Sequence, residues 1–131
     1  MKIFTFVIAS LIAGVSFAQA APALEDLACS LSNGVTIIGT QAEKDGLKVD
    51  TQWGYFKRSF TAVLAEQQPA DQVAIDLKDA GGKSAYLIYL PIKLTTTQPQ
   101  QAQGTVVQRN AWNSKVLNFI AHASCKVRLA Q

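Results

Sequence analysis

Residues 71–90 read DQVAIDLKDAGGKSAYLIYL, and their pattern decides the fold. Before the glycines, Val73, Ile75 and Leu77 alternate with Gln72, Ala74, Asp76 and Lys78. A period of two puts the first set on one face of an extended chain and the second on the other, which is a half-buried strand and not a helix. Gly81-Gly82 predicts a two-residue hairpin loop, because glycine takes positive φ at both positions without steric cost. That loop sets a register in which paired residue numbers sum to 163. Leu77 then faces Tyr86, Ile75 faces Ile88 and Val73 faces Leu90, each pair apolar against apolar on the inward face. In this register Tyr86 points to the core and Tyr89 to the surface.

The same period extends along the chain in both directions. Upstream, Asp45-Gly46 predicts a second hairpin whose pairs sum to 91, with Glu43 opposite Lys48, Ala42 opposite Val49 and Ile38 opposite Trp53. Downstream, the odd-numbered residues from Leu117 to Leu129 form one apolar face that includes Cys125, with Asn118, His122, Ser124, Lys126 and Arg128 on the other. Two weaker strands are expected at Lys57 to Ala65 and Thr105 to Arg109. Ser32-Asn33-Gly34 and Asn113-Ser114 supply turns, and the glutamine-rich Gln98 to Gln103 reads as a loop. Ala21 to Leu31 fits either a strand or a short helix, since Pro22 precedes leucines at 24, 27 and 31. Seven or eight short strands in one small chain predict an all-β antiparallel meander, closed as a barrel or folded as a sandwich.

The N-terminus obeys a different rule. Met1-Lys2 is followed by an apolar run from Ile3 to Phe17 and then by Ala18-Gln19-Ala20. A charged start, an apolar middle and an A-x-A site predict a cleavable signal helix over residues 1–20, and the run falls short of the roughly 20 residues that span a bilayer. The expected organisation is a signal peptide at 1–20 and a single β-domain at 21–131, placed in the periplasm or secreted. The domain keeps eleven Lys and Arg against nine Asp and Glu, spread along the chain with Lys57-Arg58 as the only adjacent basic pair. Such a distribution argues against a nucleic-acid partner. In an oxidising compartment the even pair Cys29 and Cys125, without C-x-x-C spacing, predicts one structural disulfide joining the first element to the last.

Catalytic and metal chemistry find few residues to use. The lone histidine, His122, falls on the outward face, and nucleophile motifs and phosphate loops are absent. One histidine and two oxidised cysteines leave no metal set, and no cofactor is expected. A carboxylate pair of the glycosidase kind stays open to the sequence, but Glu25, Glu43 and Glu66 all sit near turns or segment ends. An outer-membrane barrel is the membrane alternative, but the outward positions carry Asp76, Lys78, Lys126 and Arg128, and no stable span is expected after signal cleavage.

What remains is a pair of aromatic and basic clusters, WGYFKR at 53–58 and RNAWNSK at 109–115. Trp53, Tyr55, Lys57, Arg58, Arg109 and Trp112 form the candidate binding surface, because Trp, Tyr and Arg combine large rigid area with a polar handle. The competing reading has Trp53 and Phe56 filling the core while Lys57 and Arg58 are merely solvated. In size, leader, strand meander and early-to-late cysteine pair, the chain resembles the small periplasmic barrels that inhibit c-type lysozyme. In that family a loop carrying S-G-x-x-Y enters the enzyme's cleft. The nearest stretch here, Gly81-Gly82-Lys83-Ser84-Ala85-Tyr86, has no serine before the glycine and its tyrosine one residue further on. The expected function is therefore an exported, non-enzymatic β-domain that binds a partner protein, envelope component or small ligand. An inhibitor of an envelope-degrading enzyme such as lysozyme is the first alternative, and a carboxylate-dependent envelope hydrolase the second.

Overall fold

The computed structural model describes residues 22–110, 112–113 and 115–130, so the expected leader lies outside the described residues. Within them, the period-two segments become eight strands: β1 (Ala23–Leu31), β2 (Thr36–Glu43), β3 (Gly46–Trp53), β4 (Phe56–Leu64), β5 (Val73–Lys78), β6 (Ser84–Leu90), β7 (Gln100–Arg109) and β8 (Leu117–Ala130). They close into one antiparallel barrel in the ring order β8-β1-β2-β3-β4-β5-β6-β7. Closure leaves no sheet edge unpaired. Leu27, Ile75, Leu77, Ile88, Leu90 and Val127 are among the fully buried side chains inside it. Outside, His122, Ser124, Lys126 and Arg128 are exposed. No helix among the described residues is long and apolar enough to cross a membrane.

The decisive hairpin keeps its expected register, with Leu77, Ile75 and Val73 paired to Tyr86, Ile88 and Leu90. Its turn is different. Asp79 N–H donates to the Lys83 carbonyl and Gly82 N–H to the Asp79 carbonyl, so the loop is Ala80–Gly81–Gly82, with positive φ at Gly82 (79°) and not at Gly81. A register shift between Leu77 and Lys78 absorbs the extra residue and preserves the inward pairs.

Three expectations are corrected by bulges and long-range pairing. The β2–β3 turn is Lys44-Asp45, giving Glu43 opposite Gly46 and Ala42 opposite Leu47; a shift between Gly39 and Gln41 then sets Ile38 opposite Asp50. Gly46 is a strand residue pressed against β4, where a Cβ would sit 2.8 Å from the Ala62 carbonyl oxygen. On β8, a shift between Phe119 and Ala121 turns Leu117 and Phe119 outward and leaves Ile120 packed against the core. Residues 100–103 are not loop: Gln100, Gln101, Ala102 and Gln103 pair with Val127, Lys126, Cys125 and Ser124. Their side chains give no strand signal, but their backbone satisfies one side of β8.

The ambiguous segment before Leu31 is strand. A shift opposite Arg128 and Leu129 pairs Asp26 and Leu24 with them, skipping Glu25, so that Leu24 and Leu27 both face inward. The three-residue leucine spacing that mimics a helix is thus a bulged strand. Cys29 and Cys125 stand opposite each other on β1 and β8 and are joined by a disulfide. Their Cα atoms are 4.1 Å apart, slightly closer than the usual 4.4–6.8 Å, as befits residues directly opposed on adjacent antiparallel strands. The bond locks the seam where the last strand meets the first. Such a bond persists in an oxidising, non-cytoplasmic environment.

An aromatic mouth as the candidate functional site

Because successive strands run in opposite directions, the β1–β2, β3–β4, β5–β6 and β7–β8 connections all lie at one end of the barrel. The other end is closed over the core by the β6–β7 connection, which buries Ile92. It is also closed at β4–β5, where the Gln68 amide bonds the backbones of Ala65 and Ala74. The first end is open, and its rim decides what the barrel presents.

The β3–β4 hairpin builds one side of this mouth. Trp53 pairs with Phe56 across the two-residue turn Gly54-Tyr55, which Gly54 makes possible at φ 60°. The pairing stacks the two rings, with centroids 6.2 Å apart and an interplanar angle of 17°. Trp53 and Phe56 are 59% and 72% exposed, so they do not fill the core; they cap its open end, and the turn projects Tyr55 wholly into solvent. Trp53 lies beside Gly34 of the β1–β2 turn.

The opposite side is the β7–β8 connection, four strands away around the ring. The Asn110 side chain accepts hydrogen bonds from the N–H groups of Trp112 (2.8 Å) and Asn113 (3.1 Å), and the Asn113 side chain accepts one from Lys115 N–H (3.1 Å). These asparagine turns hold the loop and present Trp112 at 96% exposure. Between the two sides, the Asp79 carboxylate accepts the N–H groups of Gly81 and Lys83, both at 3.0 Å, and shapes the β5–β6 turn.

Beneath the rim lies a cavity of about 180 Å³. Leu31, Val35, Ile37, Leu77, Val106 and Ile120 contribute its aliphatic wall. Phe60 and Tyr86 meet edge-on inside it, with ring centroids 5.7 Å apart. The Arg58 guanidinium sits 5.0 Å over the Phe60 ring, and among the described residues it has no carboxylate partner. The described lining contains no Asp, Glu, His, Ser or Cys.

The candidate residues therefore divide. Trp53 and Arg58 line the cavity, and Tyr55 and Trp112 stand at the tips of opposite loops. Lys57 turns to the outer wall, 4.0 Å from Asp50. Arg109 also turns outward, where its Nε donates to Ser84 Oγ at 2.7 Å and Ser84 in turn bonds Asp76. The carboxylates named for hydrolysis, Glu25, Glu43 and Glu66, sit at the closed end, Glu25 within 3.5 Å of Arg128. Among the described residues, no three His, Cys, Asp or Glu side chains gather as a metal site. Sequence reasoning passed over Phe60 and Ile120 as site residues. The signal for Phe60 was its same-face spacing from Phe56 and Arg58; for Ile120 there was none, because a bulge turns it inward.

Charge follows the same axis. The open end carries Lys57, Arg58, Lys78, Lys83, Arg109 and Lys115 against Asp50, Asp76 and Asp79. The closed end carries Glu25, Asp26, Glu43, Asp45, Glu66 and Asp71 against Lys44, Lys48, Lys93, Lys126 and Arg128. The chain's small positive excess thus lies at the aromatic mouth, and the closed end is close to neutral. Comparison with protein-family models, with curated proteins and with solved structures returns no match for this chain.

Proposed function

We propose that the protein is an exported, non-enzymatic β-barrel that binds, through its mouth, an apolar group bearing an anionic substituent on a small ligand, envelope component or partner. The observation that carries this reading is the apolar cavity with an uncompensated arginine at its rim. Eight-stranded barrels have room for one small ligand, and a dry cavity of about 150 Å³ accepts a benzene ring. A space of about 180 Å³ is thus suited to a phenyl group or short alkyl chain. Arg58 then offers a planar fork to a carboxylate or phosphate. Export is supported by the leader pattern and the disulfide, and a non-enzymatic role by a lining whose hydroxyls, on Thr51 and Tyr86, have no His, Asp or Glu beside them in the cavity.

The test is titration with 3-phenylpropionate and its neutral counterpart 3-phenylpropanol, followed by calorimetry and by the fluorescence of Trp53. Arg58→Gln is expected to weaken the acid and spare the alcohol, whereas Ile120→Phe, which fills the cavity, weakens both. An acid-to-alcohol preference unchanged by Arg58→Gln refutes the assignment. The β5–β6 turn favours one second reading, an inhibitor of an envelope-degrading enzyme, because Asp79 holds exposed Lys83 beside the mouth where it can face the carboxylates of a glycosidase cleft. Inhibition of lysozyme lost in Lys83→Glu but retained in Arg58→Gln supports that form.

A further inference from the structure

We infer that the mouth end of the barrel docks face-on to an anionic lipid bilayer. The exposed large apolar side chains are concentrated there: Trp53, Tyr55 and Phe56 on the β3–β4 hairpin, and Trp112, Val116, Leu117 and Phe119 on the β7–β8 side. Ile38, on the outer wall, is the exception among the described residues. A single protein partner commonly covers one contiguous patch, but these two groups stand on opposite sides of the barrel end, so a plane across that end touches both. A bilayer is such a plane, and Trp and Tyr partition to its headgroup level, where their rings are buried and their polar atoms stay wet.

The charge distribution selects the lipid. Lys83 and Lys115 flank the aromatic tips, with Arg58 at the cavity rim and Lys57 on the outer wall beside Asp50, and the far end is close to neutral. A negatively charged surface attracts the mouth end more than the nearly neutral far end and so sets the barrel upright. Outward Phe119, with His122 edge-on at 5.1 Å, and outward Leu117 extend the apolar collar around the outside of the rim. Docking in this pose brings the cavity's opening to the headgroup layer, but the inference rests on the surface alone and stands whether or not the cavity binds a ligand.

The oxidised protein is mixed with phosphatidylcholine vesicles, with and without phosphatidylglycerol, and binding is read by co-sedimentation and by the blue shift of tryptophan emission. Binding is expected to require phosphatidylglycerol and to weaken at high salt. It should fall roughly tenfold or more in Tyr55→Ser/Trp112→Ser and in Lys83→Glu/Lys115→Glu, and stay unchanged in Ile38→Ser. Both tip residues are solvent-exposed, so far-UV circular dichroism should show the tip variant folded. Absence of binding to either vesicle overturns the inference and leaves the basic face to a soluble anionic partner. Equal binding to both vesicles, unmoved by the tip substitutions, also overturns it, since that is how an attached apolar leader behaves.

Discussion

Reducing the Cys29–Cys125 disulfide should reveal how much of the barrel's stability lies in its seam. The two cysteines are separated by 96 positions, so the bond closes almost the whole described chain into one loop. In the chain-entropy model a loop of that size restricts the unfolded ensemble by about 4.7 kcal/mol. With a urea dependence of about 1.5 kcal/mol/M for a domain of this size, the midpoint should fall by roughly 3 M. The folded state itself loses little, because the cysteines already oppose each other in a ladder that pairs Ala23 to Leu31 with Ala123 to Ala130. The Cys29→Ala/Cys125→Ala variant should therefore keep its β-sheet dichroism in water while unfolding at much lower urea. Amides that exchange only through global unfolding should accelerate alike in every strand, including β1, which pairs with β2 through only Ala28, Cys29 and Ser30. A midpoint shift below about 0.5 M, or acceleration confined to β1, would refute the view that the bond acts by closing a long loop in the unfolded chain.

Gly104→Ala should prevent accumulation of soluble protein, because the new Cβ would lie 1.8 Å from the Tyr89 carbonyl oxygen and β6 and β7 would have to separate; expression level and urea midpoint are the readouts. Leu77→Ala, at a side chain 1% exposed, should cost about 2–5 kcal/mol by equilibrium unfolding. Phe119→Ser should cost much less than Ile120→Ser, reversing the order expected from unbroken alternation, since the bulge turns Phe119 to solvent and Ile120 to the core. Glu25→Gln, which removes a half-exposed ion pair with Arg128, should change stability by less than about 1 kcal/mol.

The β5–β6 register was legible before any coordinates because two independent local signals agreed: glycines at the turn and apolar residues two apart on both sides. Even there the turn itself was misread, since one more loop residue and one bulge cancel in the pairing. The β2–β3 register was not legible. Asp45-Gly46 is a sound turn dipeptide, but Gly46 serves the approach of β4, a demand that comes from a residue far along the chain. The binding surface was half legible. Trp53, Tyr55 and Trp112 were singled out by residue type, yet whether Trp53 and Phe56 sit in the core or at its opening depends on where the barrel ends.

By itself, then, the sequence determined the period-two alternation, the β class, most of the strands and the pairing of its two cysteines, because each follows from local chemistry or from a count that leaves one answer. Tertiary structure alone decided that the meander closes as a barrel, that residues 100–103 join it as strand, and that Ile120 and not Phe119 turns inward. It also gathered two aromatic clusters about fifty-five residues apart, with most of the basic side chains, at one open end. The reason is physical: alternation specifies the face of a strand, whereas closure, bulges and strand direction are set by hydrogen-bond partners distant in the chain, and only those partners determine which ends coincide.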